Sequence, residues 1–141
     1  MRKTAMFSAL TVLVLVLSGC VGKKQSVSLE RTGWKLVAWS ISSIKADAYE
    51  ITANFDDKTM SGKSAVNSYS GDYSIDGYDI TFGQFVSTKM AGTEEAMRAE
   101  SNFFELIKQV KTLEVAGIKM IFRDSHGYDL LVFEMNTPPE I

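Results

Sequence analysis

The fold is decided by the stretch YSIDGYDITF, residues 73–82. Its Asp76-Gly77 dipeptide is a common tight turn, and short runs of strand-forming residues lie on both sides of it. This pattern predicts a β-hairpin. The segments on either side of the hairpin show how far the run of locally joined strands extends.

The chain before the hairpin predicts three further strands. Trp34–Trp39 has strand composition, and Ile51–Phe55 alternates between apolar and polar residues. Asp56-Asp57-Lys58 supplies a turn after the second of these, and Met60–Tyr69 is the expected returning strand. This half of the chain is therefore expected to consist of strands joined by short turns.

After the hairpin the period of the apolar residues changes from two to between three and four. Glu94–Lys111 is predicted to be an amphipathic helix, with Thr93 as its N-cap. Its apolar face is formed by Ala96, Ala99, Phe103, Leu106, Ile107 and Val110. Three short strands are expected beyond it, at Thr112–Ala116, Ile118–Arg123 and Tyr128–Glu134.

The short links between strands favour antiparallel pairing, because parallel strands need long crossover connections and only one helix is predicted. The expected fold class is α+β. We expect a curved antiparallel sheet or open barrel of about seven to eight strands, packed against one main α-helix.

The N-terminus has the pattern of a lipoprotein signal peptide. Arg2-Lys3 precedes the apolar run Ala5–Leu17, which is too short to span a bilayer. The ending Leu17-Ser18-Gly19-Cys20 resembles the bacterial lipobox, which implies cleavage before Cys20 and lipidation of its thiol. The alternative is an ordinary signal peptide that ends by chance at a structural cysteine.

Four parts are expected along the chain. Residues 1–19 form the removed signal peptide, residues 20–32 the lipidated cysteine and a polar tether, residues 33–136 the domain and residues 137–141 a tail. Val21 stands where enteric lipoproteins retained at the inner membrane have aspartate. The protein is therefore expected on the periplasmic side of the outer membrane if the host is Gram-negative, and otherwise at the surface of the cell membrane.

The composition excludes several classes of function. The net charge is −2, and loss of Arg2 and Lys3 makes it more negative, so the basic face that nucleic-acid binding needs is missing. A single cysteine cannot form an internal disulfide or a cysteine-based metal centre. We expect no nucleic acid, no metal and no cofactor.

Several short motifs, in order and with matching spacing, resemble those of the META domain family, to which the bacterial heat-shock protein HslJ belongs. The resemblance covers Gly33 to about Met135 and begins with the tryptophan strand Trp34-Lys35-Leu36. The family's "GCNxYxGxY", "TxMAC" and "ExxF" correspond here to Ala65-Val66-Asn67 with Tyr69, Gly71 and Tyr73, to Thr88-Lys89-Met90-Ala91-Gly92, and to Glu100 with Phe103.

The departures from the family pattern concern glycine and cysteine. Both family cysteines are replaced, by Val66 and Gly92, as expected if they pair with each other in the relatives that have them. The motif's glycine is Ala65, so we expect no positive φ at this position. No catalytic activity is generally attached to the family, and its links to envelope stress imply a role in stress tolerance.

One group of side chains is the candidate site. Asn67, Tyr69 and Tyr73 would share one face of a strand, and Thr88 and Met90 are expected nearby. They would form either a small ligand-binding surface or a satisfied polar network that fixes the strands, and the second interpretation is favoured. The only histidine, His126, lies in a turn sequence and is expected to be solvated.

The sequence favours a non-enzymatic, lipid-anchored envelope protein. Its expected partners are the membrane, through Cys20, and another envelope component that it binds or supports. The alternative is a carrier that holds a lipid or peptide in the cleft between helix and sheet. A large cavity beside Phe103, Phe104 and Leu106 would favour the carrier, and a filled core would count against it.

Overall fold

Antiparallel strands pair in a closed ring in the computed structural model, which describes residues 27–137. Eight strands form the ring, and a ninth short strand pairs with one of them beside it. The architecture within these residues is therefore an eight-stranded barrel with one packed α-helix.

The elements follow one another with short connections. The nine strands of the described region are β1 (Thr32–Trp39), β2 (Thr52–Asp56), β3 (Thr59–Lys63), β4 (Ser68–Asp76), β5 (Asp79–Phe82), β6 (Val86–Ser87), β7 (Thr112–Ala116), β8 (Lys119–Arg123) and β9 (Asp129–Thr137). Around the ring their order is β3-β2-β1-β9-β8-β7-β5-β4, and pairing of β3 with β4 closes it. β6 pairs with β4 beside the end of β5. A 3₁₀ helix, Ala46–Ala48, lies between β1 and β2, and α1 (Glu94–Ile107) lies between β6 and β7.

The predicted fold class is confirmed, and so is the hairpin that decided it. Asp76 of β4 pairs with Asp79 of β5, and Gly77 turns the chain with a φ of 68°. Thr93 caps α1 as expected, because its side chain accepts a hydrogen bond from the Ala96 backbone N–H at 3.2 Å. The sequence predicted a curved sheet or an open barrel, and the pairing of β3 with β4 makes the barrel closed.

Two element boundaries differ from the expected ones. Met60–Tyr69 is not a single returning strand, because the chain turns between β3 and β4, where the Ser64 backbone N–H donates to Asn67 O at 2.8 Å. The helix ends at Ile107, short of Lys111. Beyond the helix, the Lys111 N–H donates to Arg123 O of β8 at 2.8 Å, so the chain is already extended beside β8 at the residue before β7.

The expectation that Ala65 would not have a positive φ was wrong. Ala65 has a φ of 80°, which is the left-handed region that glycine adopts with least cost. Its N–H donates to Glu50 O at 3.1 Å, and the adjacent Ser64 bonds across the turn to Asn67. These contacts hold the backbone in the glycine-like conformation although the residue carries a Cβ.

The core fills the barrel with large apolar side chains. It includes Trp34, Phe55, Phe103, Phe122 and Phe133, each at most 1% exposed. Burying a side chain of this size contributes about 1.5–3 kcal/mol of stability. The core also extends before the domain boundary expected at Gly33, since Leu29 is 1% exposed and Val27 packs against the same cluster.

Several predictions concern residues outside the described range. The signal peptide, the lipidation of Cys20, most of the tether and residues 138–141 of the tail belong to them. Within residues 27–137, no helix has the length and apolar composition needed to cross a bilayer.

Candidate functional site

A buried carboxylate, Glu100, joins the helix to the barrel. It lies on the buried face of α1 and is 8% exposed. Its Oε2 accepts hydrogen bonds from Ser64 Oγ and the Asn67 backbone N–H, both at 2.8 Å, and its Oε1 accepts one from Asn67 Nδ2 at 2.8 Å. The Val66 backbone N–H also donates to the carboxylate. The helix is thereby fixed to the turn between β3 and β4.

The Asn67 side chain extends this network to the segment that follows β6. Asn67 Oδ1 accepts from Thr88 Oγ1 at 2.8 Å and from the Met90 backbone N–H at 2.7 Å. Asn67 Nδ2 donates to Met90 O at 3.2 Å as well as to Glu100. Both amide donors and both acceptor positions of this side chain are therefore used. One side chain holds together a turn, a helix and a loop.

The network stabilises Glu100 as a charged group without a cation among its hydrogen-bond partners. Burial acts to raise the pKa of this carboxyl, but the hydrogen bonds from Asn67, Ser64 and Val66 outweigh it, so its pKa is lowered overall. Within the described residues, no buried side-chain nitrogen or oxygen lacks a hydrogen-bond partner. The arrangement therefore resembles a satisfied polar network more than a site with free groups.

The hydroxyl groups of the two tyrosines of the candidate group take no part in this hydrogen-bond network. Tyr69 is buried, its ring 5.3 Å from that of Phe103, and its hydroxyl donates to Thr52 O at 2.6 Å. Burial raises the pKa of Tyr69. Tyr73 packs edge-on against Phe55 at 5.0 Å and donates to Asp57 O at 3.0 Å. The structure therefore groups Asn67 with Thr88 and Met90, and places both tyrosines against core aromatics.

The Met90 and His126 side chains lie at the surface. The Met90 side chain is 58% exposed and takes part in the network only through its backbone. His126 is exposed in its turn, with Nδ1 3.8 Å from Asp124 Oδ2. Within residues 27–137, no three His, Cys, Asp or Glu side chains form a group suited to a metal ion.

The positions of the two replaced family cysteines touch each other. A Cβ built on Gly92 would lie 3.5 Å from Val66 Cβ and 2.6 Å from Val66 Cγ2. The valine branch therefore occupies the space that a side chain at position 92 would need. The two positions therefore lie side by side, next to the Asn67 hydrogen bonds that join the β3–β4 turn to the segment before α1.

Sequence reasoning did not single out the centre of the network. Glu100 was predicted only as the first residue of the helix motif, and Ser64 lies inside the strand predicted over Met60–Tyr69. One signal was available: Glu100 lies four residues after Ala96 and three before Phe103, so it falls on the apolar face of the helix. A charged residue on a buried face needs hydrogen-bond partners.

The space between helix and sheet is filled. Phe103 is 0% exposed and Leu106 is 5% exposed, and both belong to the core cluster. The large internal cavity that would favour a carrier is therefore not found beside these residues. Phe104 is only half-buried and borders a surface cleft.

Comparison with known proteins gives a family and a fold. A family model of the META domain matches residues 27–137. An NMR structure of a protein from Burkholderia xenovorans is similar, with a TM-score of 0.65 and 23% identity, and the match covers 78% of this chain and 85% of that one. A second NMR structure has a TM-score of 0.60 and 14% identity, over 77% and 92% of the two chains. No curated protein matches the chain.

Proposed function

This chain belongs to the META domain family, and we propose that it is a lipid-anchored, non-enzymatic protein of the bacterial cell envelope. In this proposal the barrel binds or supports another envelope component, in the setting of stress tolerance that the family resemblance implies. The observation that carries the proposal is the lipobox-like ending Leu17-Ser18-Gly19-Cys20 directly before the domain.

The distance from Cys20 to the domain supports a role at the membrane. The described part of the chain begins at Val27, which packs against the core and whose backbone N lies 3.5 Å from Gly77 O. Fully extended, the chain between Cys20 and Val27 spans at most about 25 Å. An anchor at Cys20 would therefore keep the barrel close to the bilayer surface, where it can reach membrane-bound partners.

The polar groups of the barrel support a role without catalysis. Asn67 and Glu100 use their hydrogen-bonding capacity on each other and on neighbouring backbone, so neither is free to act on a substrate. His126 and Ser125 share an exposed turn, with Ser125 Oγ 3.4 Å from His126 Nδ1. Both side chains are solvent-exposed, whereas nucleophile and base pairs operate in enclosed pockets.

Because position 21 is valine and not aspartate, the sequence favours the outer membrane over the inner membrane of a Gram-negative host. We propose the periplasmic side of the outer membrane for a Gram-negative host and the cell surface for a single-membrane host. In both settings two or more acyl chains on Cys20 would hold the protein firmly, since one chain alone binds a bilayer only marginally.

Crosslinking in intact cells tests the partner. Cells that produce the full chain are treated with a photoactivated crosslinker placed at exposed Tyr78, Ile118 or Tyr128, and adducts are purified from membranes. We expect a discrete adduct with one envelope protein, reproducible between preparations and greatly reduced for Cys20→Ser, which keeps the barrel but loses the anchor.

Two outcomes would contradict the partner proposal. One is that all three positions give the same adducts as a crosslinker that is added to the cells without being attached to the protein. The other is co-purification of lipid with no protein adduct, which would favour a carrier of small ligands instead.

A further inference from the structure

The barrel is weakest between β5 and β7. These strands share a single residue pair, Asp79 with Thr112, supported by hydrogen bonds from the Ile80 N–H to Lys111 O at 3.0 Å and from the Leu113 N–H to Tyr78 O at 2.8 Å. Beyond Ile80 the two strands diverge, and the C-terminal end of α1 lies opposite the outgoing end of β5. The divergence leaves a cleft at the surface.

The cleft consists of two adjoining cavities of about 250 and 330 Å³. Both are bordered by Gly83, Phe85 and Lys108, so they form one continuous depression. The remaining apolar lining comes from Ile80, Phe82, Phe104, Ile107 and Val110, and Thr81, Gln84 and Ser87 add polar side chains. Ligand pockets commonly occupy about 300–1,000 Å³, and the larger of the two cavities lies near the lower end of that range.

Three phenylalanines of the cleft remain half-buried although the core beneath them is filled. Phe82 and Phe85 have ring centroids 5.6 Å apart, and Phe85 and Phe104 have centroids 6.2 Å apart. All three are packed on the core but only partly covered. Their partly exposed rings provide an apolar surface that a ligand can cover.

The charges that border the cleft have one sign. Lys108 and Lys111 line it, and among the described residues no acidic side chain does. Lys108 Nζ is 2.7 Å from Glu105 Oε1, but both side chains of this pair are more than 60% exposed, so the pair contributes little and can open. The cleft therefore combines an apolar floor with a cationic rim.

We propose that this cleft binds a free medium-chain fatty acid, with the acyl chain on Phe82, Phe85 and Phe104 and the carboxylate at Lys108 and Lys111. The apolar side chains of the cleft suit the acyl chain, which carries no polar groups. The two lysines supply the charge complementary to the carboxylate, and no acidic side chain of the described residues lines the cleft. The site is distinct from the Asn67 network and does not depend on the lipid anchor.

Binding of dodecanoate to the soluble domain tests the proposal. Residues 21–141 form a suitable sample, because the same fold makes up 85% and 92% of the two similar solved chains and folds there as an independent unit. Displacement of a fluorescent fatty acid gives the affinity, and amide NMR spectra of the wild-type domain locate the site. We expect saturable binding with shifts concentrated at residues 80–87 and 104–111.

Charge reversal separates specific recognition from general hydrophobic binding. Lys108→Glu/Lys111→Glu is expected to weaken dodecanoate binding at least about tenfold, because a charged hydrogen-bond pair is replaced by repulsion. The matched control Lys45→Glu/Lys119→Glu makes the same change in net charge at exposed lysines that do not line the cleft, and is expected to leave affinity unchanged. Dodecanol, which lacks the charge, should bind more weakly than dodecanoate to the wild type.

Three results would overturn the proposal. The first is the absence of saturable dodecanoate binding. The second is equal loss of affinity in the cleft variant and the control variant, or shifts that concentrate at the Asn67 network. The third is sedimentation of the domain with anionic phospholipid vesicles in the absence of binding to monomeric dodecanoate, which would assign the cleft to a lipid surface.

Discussion

Ala65 adopts a backbone conformation that its side chain disfavours. Its φ of 80° lies in the left-handed region, which costs an L-residue roughly 1–2 kcal/mol because its Cβ approaches the following carbonyl oxygen. The turn is nevertheless fixed, because Ser64 and Asn67 on either side of it both bond to Glu100. The local cost is thus offset by the network that the turn presents to the helix.

Replacing this alanine by glycine should stabilise the protein. We expect Ala65→Gly to raise the free energy of unfolding by about 0.5–1 kcal/mol, since relief of the strain exceeds the added entropy of the unfolded chain. Urea denaturation of the soluble domain measures the change. Ala48→Gly, at an exposed residue without positive φ, is the matched control and should be destabilising; stabilisation of both variants would contradict the explanation.

Glu100 makes stability depend on pH in a defined direction. Its pKa is lowered in the folded state, so the folded protein binds fewer protons here than the unfolded chain does. The contribution of the carboxylate to the free energy of unfolding is complete above the ordinary glutamate pKa of about 4.3. This contribution is lost as the pH falls through the lower pKa of the folded state.

The variant Glu100→Gln should remove this dependence and destabilise the domain. An amide NH₂ would face hydrogen-bond donors of Ser64, Val66 or Asn67, and leaving such a group unsatisfied costs about 1–3 kcal/mol. Denaturation curves at neutral pH and at about pH 3.5 should differ less for this variant than for the wild type. Glu105→Gln, exposed on the same helix, should match the wild type at both pH values; a wild-type pH response in Glu100→Gln would refute the assignment.

Among the elements, the β3–β4 turn and the segment before α1 are joined by the hydrogen bonds of Asn67 to Met90, and Val66 and Gly92 lie side by side next to them. A Cβ built on Gly92 would lie 3.5 Å from Val66 Cβ, which is within the range that disulfides adopt. The φ of Gly92 lies outside the positive region, so its backbone permits a side chain.

Restoring both family cysteines should therefore crosslink the two segments. In the soluble domain, which lacks Cys20, Val66→Cys/Gly92→Cys is expected to oxidise to an intramolecular disulfide and to gain about 3 kcal/mol of stability. Thiol titration and denaturation with and without reductant measure both effects. The single variant Val66→Cys is the control, and two free thiols after oxidation of the double variant would show that the segments are placed otherwise.

The elements that the sequence predicted are those set by local chemistry. Asp76-Gly77 fixes a turn, and the three- and four-residue spacing of apolar residues around Phe103 fixes a helix. Elements that depend on distant partners were missed. β6 is a strand only because Val86 and Ser87 meet β4, and the turn after β3 depends on Glu100, which is 36 residues beyond Ser64.

At the scale of the whole molecule, closure of the barrel required pairings that no local pattern contains. β1 pairs with β9 across nearly the whole domain, while β3 pairs with β4 on the opposite side of the ring. The candidate site shows the same limit of local patterns. The motifs predicted that Asn67 lies near Thr88 and Met90. They did not predict that Tyr69 and Tyr73 pack on Phe103 and Phe55 and take no part in the Asn67 hydrogen bonds.

The central claim concerns the whole molecule, namely that a lipid on Cys20 holds this barrel at a membrane. Its most direct test is metabolic labelling with a tagged fatty acid of cells that produce the full chain, Cys20→Ser, or the matched control Ser26→Ala. We predict label on the wild type and on Ser26→Ala, each in its shorter, processed form, and an unlabelled precursor for Cys20→Ser. Incorporation of label into Cys20→Ser, or a processed wild type without label, would contradict the account.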